Sequence, residues 1–251
     1  MVDWTDTGII LSVRPHGETS AIVELLTQTH GRHAGLVRGG RSKTRRGMLQ
    51  QGNEVRAEWR ARLAEHLGAY TLDLIRDRSS VFLDDADRLA GLTAACSLVS
   101  VLLPEREPHR AISEGLSALI SAIDETPNWP AGLVRFELGV LAELGFGLDL
   151  SRCAATGSTT DLTFVSPKTG RAVCAEAGAP YKNRMLALPG FLRPHANTPP
   201  DIAQALQGLQ LTGYFIKREL LDPHGASLPA ARERLIERLK RRTVETPPNR
   251  L

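Results

Sequence analysis

Up to about residue 80, apolar positions fall in short runs closed by turn residues. Gly8 to Val13 is closed by Pro15 and Gly17, Ala21 to Leu26 by His30 and Gly31, and Ala34 to Val37 by Gly39-Gly40. From Val55 to Leu63 the alternation is strict, with Val55, Ala57, Trp59, Ala61 and Leu63 on one side and Arg56, Glu58, Arg60 and Arg62 on the other. Period-2 alternation predicts a strand with one face buried. Tyr70, Leu72 and Leu74 mark a fifth strand. Five short strands separated by turn signals predict a small barrel, and five is the strand count of the OB-fold.

After Asp84 the period changes. Leu89, Leu92, Cys96, Val99 and Leu103 are spaced three and four apart, which predicts a helix that opens at Asp84-Asp85 and stops at Pro104. Further helices are expected over Arg110 to Ile123, Pro130 to Leu144, Pro200 to Leu206 and Leu211 to Leu221, with a last basic helix from near Ser227-Leu228-Pro229. Leu162 to Val165 and Arg171 to Cys174, joined by Ser166-Pro167-Lys168-Thr169-Gly170, read as a hairpin. The tail at Thr246-Pro247-Pro248 is expected to fray. The expected class is α+β. An OB-fold barrel spans 1–82, and an all-α domain follows over 83–148 and 191–245, interrupted at 149–190 by the hairpin insert.

Composition changes this picture little: 251 residues, 42% hydrophobic and 24% charged, with a net charge of +3. That is enough apolar material for a core, which excludes a disordered chain. Divided along the chain, the charge is informative. Met1 to Gly31 carries −3, Arg32 to Arg62 carries +7, Leu63 to Ala231 carries −5 and the remainder carries +4. A concentrated basic block on a small β domain is the electrostatic footprint of a polyanion binder. Without a basic start and apolar core at the N-terminus, and without an apolar run of membrane-spanning length, a cytoplasmic protein away from membranes is expected.

Catalytic signatures are missing. Gly39-Gly40-Arg41-Ser42-Lys43 lacks the spacing of a phosphate loop, and no dinucleotide fingerprint, nucleophile elbow or HExxH pair occurs. Asp84, Asp85 and Asp87 read as helix caps rather than a cation site. His30 and His33 have no carboxylate between them and read as structural. The three cysteines, Cys96, Cys153 and Cys174, point to a reducing compartment. Cys153 and Cys174 flank the hairpin as in a zinc finger, but Thr156 and Ala177 stand where the other two thiolates belong. Two thiolates cannot close a tetrahedral zinc site, so no metal and no cofactor is expected.

Leu36 to Gly47 holds Arg38, Arg41, Lys43, Arg45 and Arg46 and no acid. Arginine forks match phosphate, and glycines permit close backbone approach. Arg56, Arg60 and Arg62 on the alternating strand add a stripe spaced by about 7 Å. Such a surface binds backbone without reading sequence. Trp59 lies opposite the arginines and belongs to the core, whereas Trp4, Tyr70 and Phe82 are free to stack bases or to pack. The residues alone leave DNA and RNA open. The two alternatives to a DNA binder are an RNA-binding OB protein and a metal-dependent nucleic-acid enzyme.

Several longer motifs resemble the RecO family of bacterial recombination mediators. They are Trp4 to Val13, Pro15-His16-Gly17-Glu18, Gly35-Leu36-Val37-Arg38-Gly39-Gly40, Trp59-Arg60-Ala61-Arg62-Leu63, Leu144-Gly145-Phe146-Gly147-Leu148-Asp149-Leu150, Val165 to Val173 and Leu211-Thr212-Gly213-Tyr214-Phe215. The resemblance covers nearly the whole chain. It implies an N-terminal OB-fold, a helical C-terminal domain and, in many members, zinc at the position of Cys153 to Ala177, from which this chain departs. It further implies a non-catalytic DNA repair protein, cytoplasmic and nucleoid-associated. Such a protein binds single- and double-stranded DNA and anneals complementary strands. With RecR it helps load RecA onto strands coated by single-stranded DNA-binding protein (SSB), whose acidic C-terminal tail it contacts. Phosphate contacts would fall on Arg14, Arg38, Arg41, Lys43, Arg45, Arg46, Arg60 and Arg62. The tail would meet the helical domain at an apolar pocket rimmed by a base, with Lys217, Arg218 and the helix from Arg232 to Arg242 as candidates.

Overall fold

A computed structural model describes residues 1–196 and 199–245. The tail at Thr246-Pro247-Pro248 lies outside the described residues. The described chain divides into two compact units, the first over residues 1–125 and the second over the described residues from 126 onward.

The first unit is built on a closed barrel of strands β1 (Val2–His16), β2 (Ser20–Thr27), β3 (Arg32–Val37), β4 (Glu54–Ala61) and β5 (Ala69–Arg76), hydrogen-bonded in the order β1-β2-β3-β5-β4. β1 is longer than the apolar run Gly8 to Val13 predicts because it serves two neighbours. Val2 to Ile9 pair with β4, and Gly8 to His16 pair with β2. Its register slips between Ile10 and Ser12, and such a bulge bends a strand around a barrel. The alternation of β4 appears as expected: Val55, Ala57, Trp59 and Ala61 are buried, and Arg56 and Arg60 are exposed. Leu63, expected on the inner face, is exposed, because β4 ends at Ala61. Helix α1 (Lys43–Met48), capped by Ser42, seats Met48 and Leu49 against the core formed by Ile10, Val23, Leu25, Val37, Trp59 and Tyr70.

A histidine sits inside this aromatic core. The His33 ring meets Trp59 edge-on at 4.9 Å, and its Nδ1 lies 3.0 Å from the Tyr70 hydroxyl. Burial, helped by the Arg106 charge, lowers its pKa from 6.5 to about 4. A base depressed in the folded state contributes stability that is present above 6.5 and lost as pH falls toward 4. The urea midpoint is therefore expected to drop between pH 6.5 and 4, by the equivalent of about 3 kcal/mol. The drop should be blunted in His33→Gln; an equal drop in that variant would assign the acid sensitivity elsewhere.

Two helices complete the first unit, α2 (Ala86–Leu102) and α3 (Arg110–Glu125). Asp85 caps α2 by accepting the Asp87 and Arg88 amides, at 3.0 and 3.1 Å. These helices belong to the same compact unit as the barrel. The Arg32 Nε donates to the Leu103 carbonyl at 2.7 Å, and the Ser100 hydroxyl donates to Glu24 at 2.7 Å. The buried Arg78 donates to the Ser117 and Ser121 hydroxyls of α3. Asn53, fully buried, ties the start of this extension to the barrel by accepting the Arg78 and Ser79 amides at 2.9 and 3.0 Å.

The second unit contains α4 (Trp129–Glu143), the strands β6 (Leu162–Val165) and β7 (Ala172–Cys174), the short α5 (Ala175–Gly178), β8 (Leu186–Ala187), α6 (Ile202–Phe215) and α7 (Ala230–Glu245). The expected hairpin is β6–β7, and β8 adds a third strand on the free edge of β6. The two helices expected over Pro200 to Leu206 and Leu211 to Leu221 are one: α6 passes through Gly208 and continues as a π-helical segment, Ile216–Leu221. Gly208 is no break. A Cβ there would come within 2.8 Å of Val134, so the glycine lets α6 approach α4 closely.

Candidate nucleic-acid interface

The barrel arranges its basic residues in two groups of different character. Arg14 on β1 pairs with Ile22 on β2, and Ile22 pairs with Leu36 on β3. The three share one outward row, spanning about 10 Å at the usual strand spacing. Arg38 follows the last residue of β3, and α1 follows with Lys43, Arg45 and Arg46. Arg41 holds this segment against the β1–β2 turn: its guanidinium donates to the Gly17 and Glu18 carbonyls at 3.0 and 2.9 Å, and its amide to the Thr19 carbonyl at 3.0 Å. Arg14, Arg38, Arg41, Lys43 and Arg46 are exposed, and Arg45 is half-buried. Among the described residues no carboxylate pairs with any of these six. The glycines act locally. Gly39 turns the chain at φ 65°, and Gly40 is buried against Ala21 and Leu49.

The second group, on β4, is not a pure arginine stripe. Arg56 lies opposite Asp73 on β5, Arg60 lies opposite Asp3 on β1, and Glu58 stands between them on the same face. Arg62 is exposed just beyond the strand. The sequence shows Glu58 among the arginines of β4, but their acidic neighbours Asp3 and Asp73 come from strands about 55 residues before and 15 after. Arg32, counted in the +7 block, is likewise spent, paired with Glu24 and 3.7 Å from Glu105. His16 was missed. It is exposed two residues beyond Arg14 on the same face, a position that the alternation of β1 identifies.

OB barrels bind nucleic acid on the outer face of strands 2 and 3 and with the flanking loops. Here the Glu24–Arg32 end of that face is covered by α2. The β4–β5 loop is gripped by Arg106, which donates to the Ala64, Glu65 and His66 carbonyls at 2.6, 3.2 and 2.9 Å. The end left open carries Arg14, Ile22, Leu36 and Arg38. It offers little stacking surface. Trp4 stacks on His30 at 4.2 Å and lies parallel to Trp59 at 5.7 Å, while Tyr70 and Phe82 are buried, so all three candidate platforms pack.

In the second unit the candidates separate. Lys217 is exposed. The Arg218 guanidinium donates to the Pro167 and Lys168 carbonyls and fastens the β6–β7 turn. Arg232, expected to be a surface base, is instead 2% exposed. It faces inward because Glu137 of α4, also buried, accepts from its Nε at 2.7 Å and from its Nη2 at 2.8 Å. Thr212 of α6 donates to the same carboxylate, and the Leu209 carbonyl accepts from Nη2 at 2.6 Å. A buried guanidinium committed to Glu137 and the Leu209 carbonyl is not a surface base for a ligand.

Cys153 and Cys174 meet, with their sulfurs 3.5 Å apart, and Thr156 Oγ1 lies 3.8 Å from Cys174 Sγ. Ala177 supplies no donor. Among the described residues no group of three His, Cys, Asp or Glu side chains could hold a metal ion. Two thiols and a hydroxyl do not fit the tetrahedral zinc that the resemblance implies for other members. Burial raises the Cys153 pKa, but hydrogen bonds from the Thr156 hydroxyl and from the Cys174, Thr156 and Ala155 amides outweigh it and bring the thiol down to about 6.

These features define an OB-type barrel with an open basic end, joined in sequence to a helical unit that carries a small β insert. Residues 1–77 match the family profile described as "Recombination protein O N terminal", and residues 83–228 match "Recombination protein O C terminal". The chain is 50% identical over 246 residues to the DNA repair protein RecO of Rhodospirillum rubrum, covering 96% of this chain and 98% of that protein. It is 49% identical over 242 residues to the RecO of Rhodospirillum centenum, covering 96% of each. The chain belongs to the RecO family of DNA repair proteins. Among the described residues no helix is long and apolar enough to cross a membrane.

Proposed function

We propose that the chain is a non-catalytic recombination mediator that acts at the nucleoid. It binds single- and double-stranded DNA through Arg14, Arg38, Arg41, Lys43, Arg45 and Arg46, anneals complementary strands, and with RecR helps RecA load onto SSB-coated strands. The observation that carries this reading is the set of six cations gathered at the open barrel end, without carboxylate partners among the described residues. Neutralising phosphates on two strands removes the repulsion that keeps them apart, and a surface without stacking platforms accepts any sequence. Arg56, Arg60 and Arg62 play a lesser part, because Asp3, Glu58 and Asp73 share the outer face of the neighbouring strands. On the helical unit, the exposed Lys217 is a base available to the acidic SSB tail, with Arg218 next to it, and the exposed Arg234 and Arg241 of α7 are others.

The test is annealing of complementary strands coated with intact or tail-deleted SSB. The protein is expected to accelerate annealing on intact SSB, to bind tail-deleted SSB less well in a pull-down, and to leave both strands uncut in magnesium. Equal recovery of the two SSB forms would remove the tail contact. Magnesium-dependent cleavage would replace the mediator with an enzyme.

A further inference from the structure

The Cys153–Cys174 pair is unused by DNA binding and lacks the donors zinc requires. Its geometry is specific. Cys153 lies in the loop after α4, where its amide donates to the Ser158 carbonyl at 2.7 Å and its carbonyl accepts the Gly157 amide at 2.9 Å. Cys174 ends β7, and its amide donates to Cys153 Sγ at 3.3 Å. The sulfurs are thus held 3.5 Å apart by backbone hydrogen bonds on both sides, under a loop whose residues Ala154 to Gly157 are exposed. The third cysteine has none of this. All three thiols are buried, but Cys96 lies within α2, where burial alone pushes its thiol up to about 12.

We propose that Cys153 and Cys174 are an oxidation site at which peroxide closes a reversible intramolecular disulfide across the β insert. The Cys153 thiolate attacks one peroxide oxygen, an S–O bond forms as the O–O bond breaks, and hydroxide leaves. The Cys174 sulfur then attacks the resulting sulfenic acid. Its S–S bond forms as the S–O bond breaks, and the Cys174 proton leaves with the oxygen as water. Two thiols are oxidised by two electrons, and the peroxide is reduced to water. The amides and the Thr156 hydroxyl around Cys153 favour the attacking thiolate, since hydrogen bonds to an anion stabilise it. Cys174 is positioned to resolve the sulfenic acid before a second peroxide reaches it.

The experiment treats the full-length protein with hydrogen peroxide and maps peptides without reduction. The expected products are a chain lighter by about 2 Da and a Cys153–Cys174 cross-linked peptide, both reversed by dithiothreitol. Cys96 should react with an alkylating reagent at least about tenfold more slowly than Cys153. In Cys174→Ser, Cys153 should stop at a sulfenic acid that a dimedone probe captures. The wild-type peptide map stands by itself if that variant does not fold. Thiols unchanged by peroxide, sulfinic or sulfonic acid without the cross-link, disulfides between chains, or stoichiometric zinc released by thiol modification would each overturn the proposal.

Discussion

Replacing Arg232 by methionine will destabilise the helical unit by about 3–5 kcal/mol, the usual cost of breaking a buried ion pair by removing one partner. The loss is large because the Glu137 carboxylate would stay in the interior with only Thr212 to satisfy it. It would remove a substantial part of a typical stability of about 5–15 kcal/mol. Hydrogen exchange should show it directly, with amides of α4, α6 and α7 losing protection together, since the three helices supply Glu137, Thr212 and Arg232. Arg232→Lys keeps the charge but not the fork that grips two carboxylate oxygens, so it should recover only part of the loss. The double variant Glu137→Leu/Arg232→Met should be far more stable than Arg232→Met alone, because no unpaired charge remains. Protection unchanged in Arg232→Met would mean that the pair is not what joins the helices.

The second large effect concerns DNA. Replacing Arg14, Arg38, Lys43 and Arg46 together with alanine should weaken single-strand binding by about 10²–10³-fold at 0.1 M salt. Each neutralised phosphate contributes about 0.7 decade of affinity per decade of salt, so four contacts are worth about fivefold each between 1 M and 0.1 M. These side chains are exposed, so the fold should survive their loss. Removing Arg56 and Arg60 should change affinity by less than about threefold, because their cross-strand neighbours are Asp73 and Asp3. An equal effect from the two sets would place the DNA on β4 instead.

Much of this architecture was legible in the chain, and the misses share a cause. The alternation of β4, the Asp85 cap and the Pro104 stop are local signals, and the structure repeats them. The length of β1 depends on which two strands it joins, which the apolar run Gly8 to Val13 does not encode. The gap expected between Leu206 and Leu211 closes because Gly208 lets α6 pass close to Val134 of α4. Arg232 looks like one base among many in a basic helix, since its partner Glu137 lies 95 residues earlier. The block charge of +7 was correct as a sum, but Arg32 is spent on Glu24, and β4 is balanced by its neighbours. What sequence could not show was which charges remain unpaired.

The most direct measurement of the central claim is the salt dependence of the affinity for a single-stranded oligonucleotide. Six cations at the barrel end, none paired with a carboxylate among the described residues, predict that log K falls against log salt with a slope near −4, at about 0.7 per phosphate, and that the Arg14/Arg38/Lys43/Arg46 alanine variant flattens it to about −1.4. An affinity indifferent to salt, or a slope unchanged in that variant, would contradict an interface made by the open basic end of the barrel.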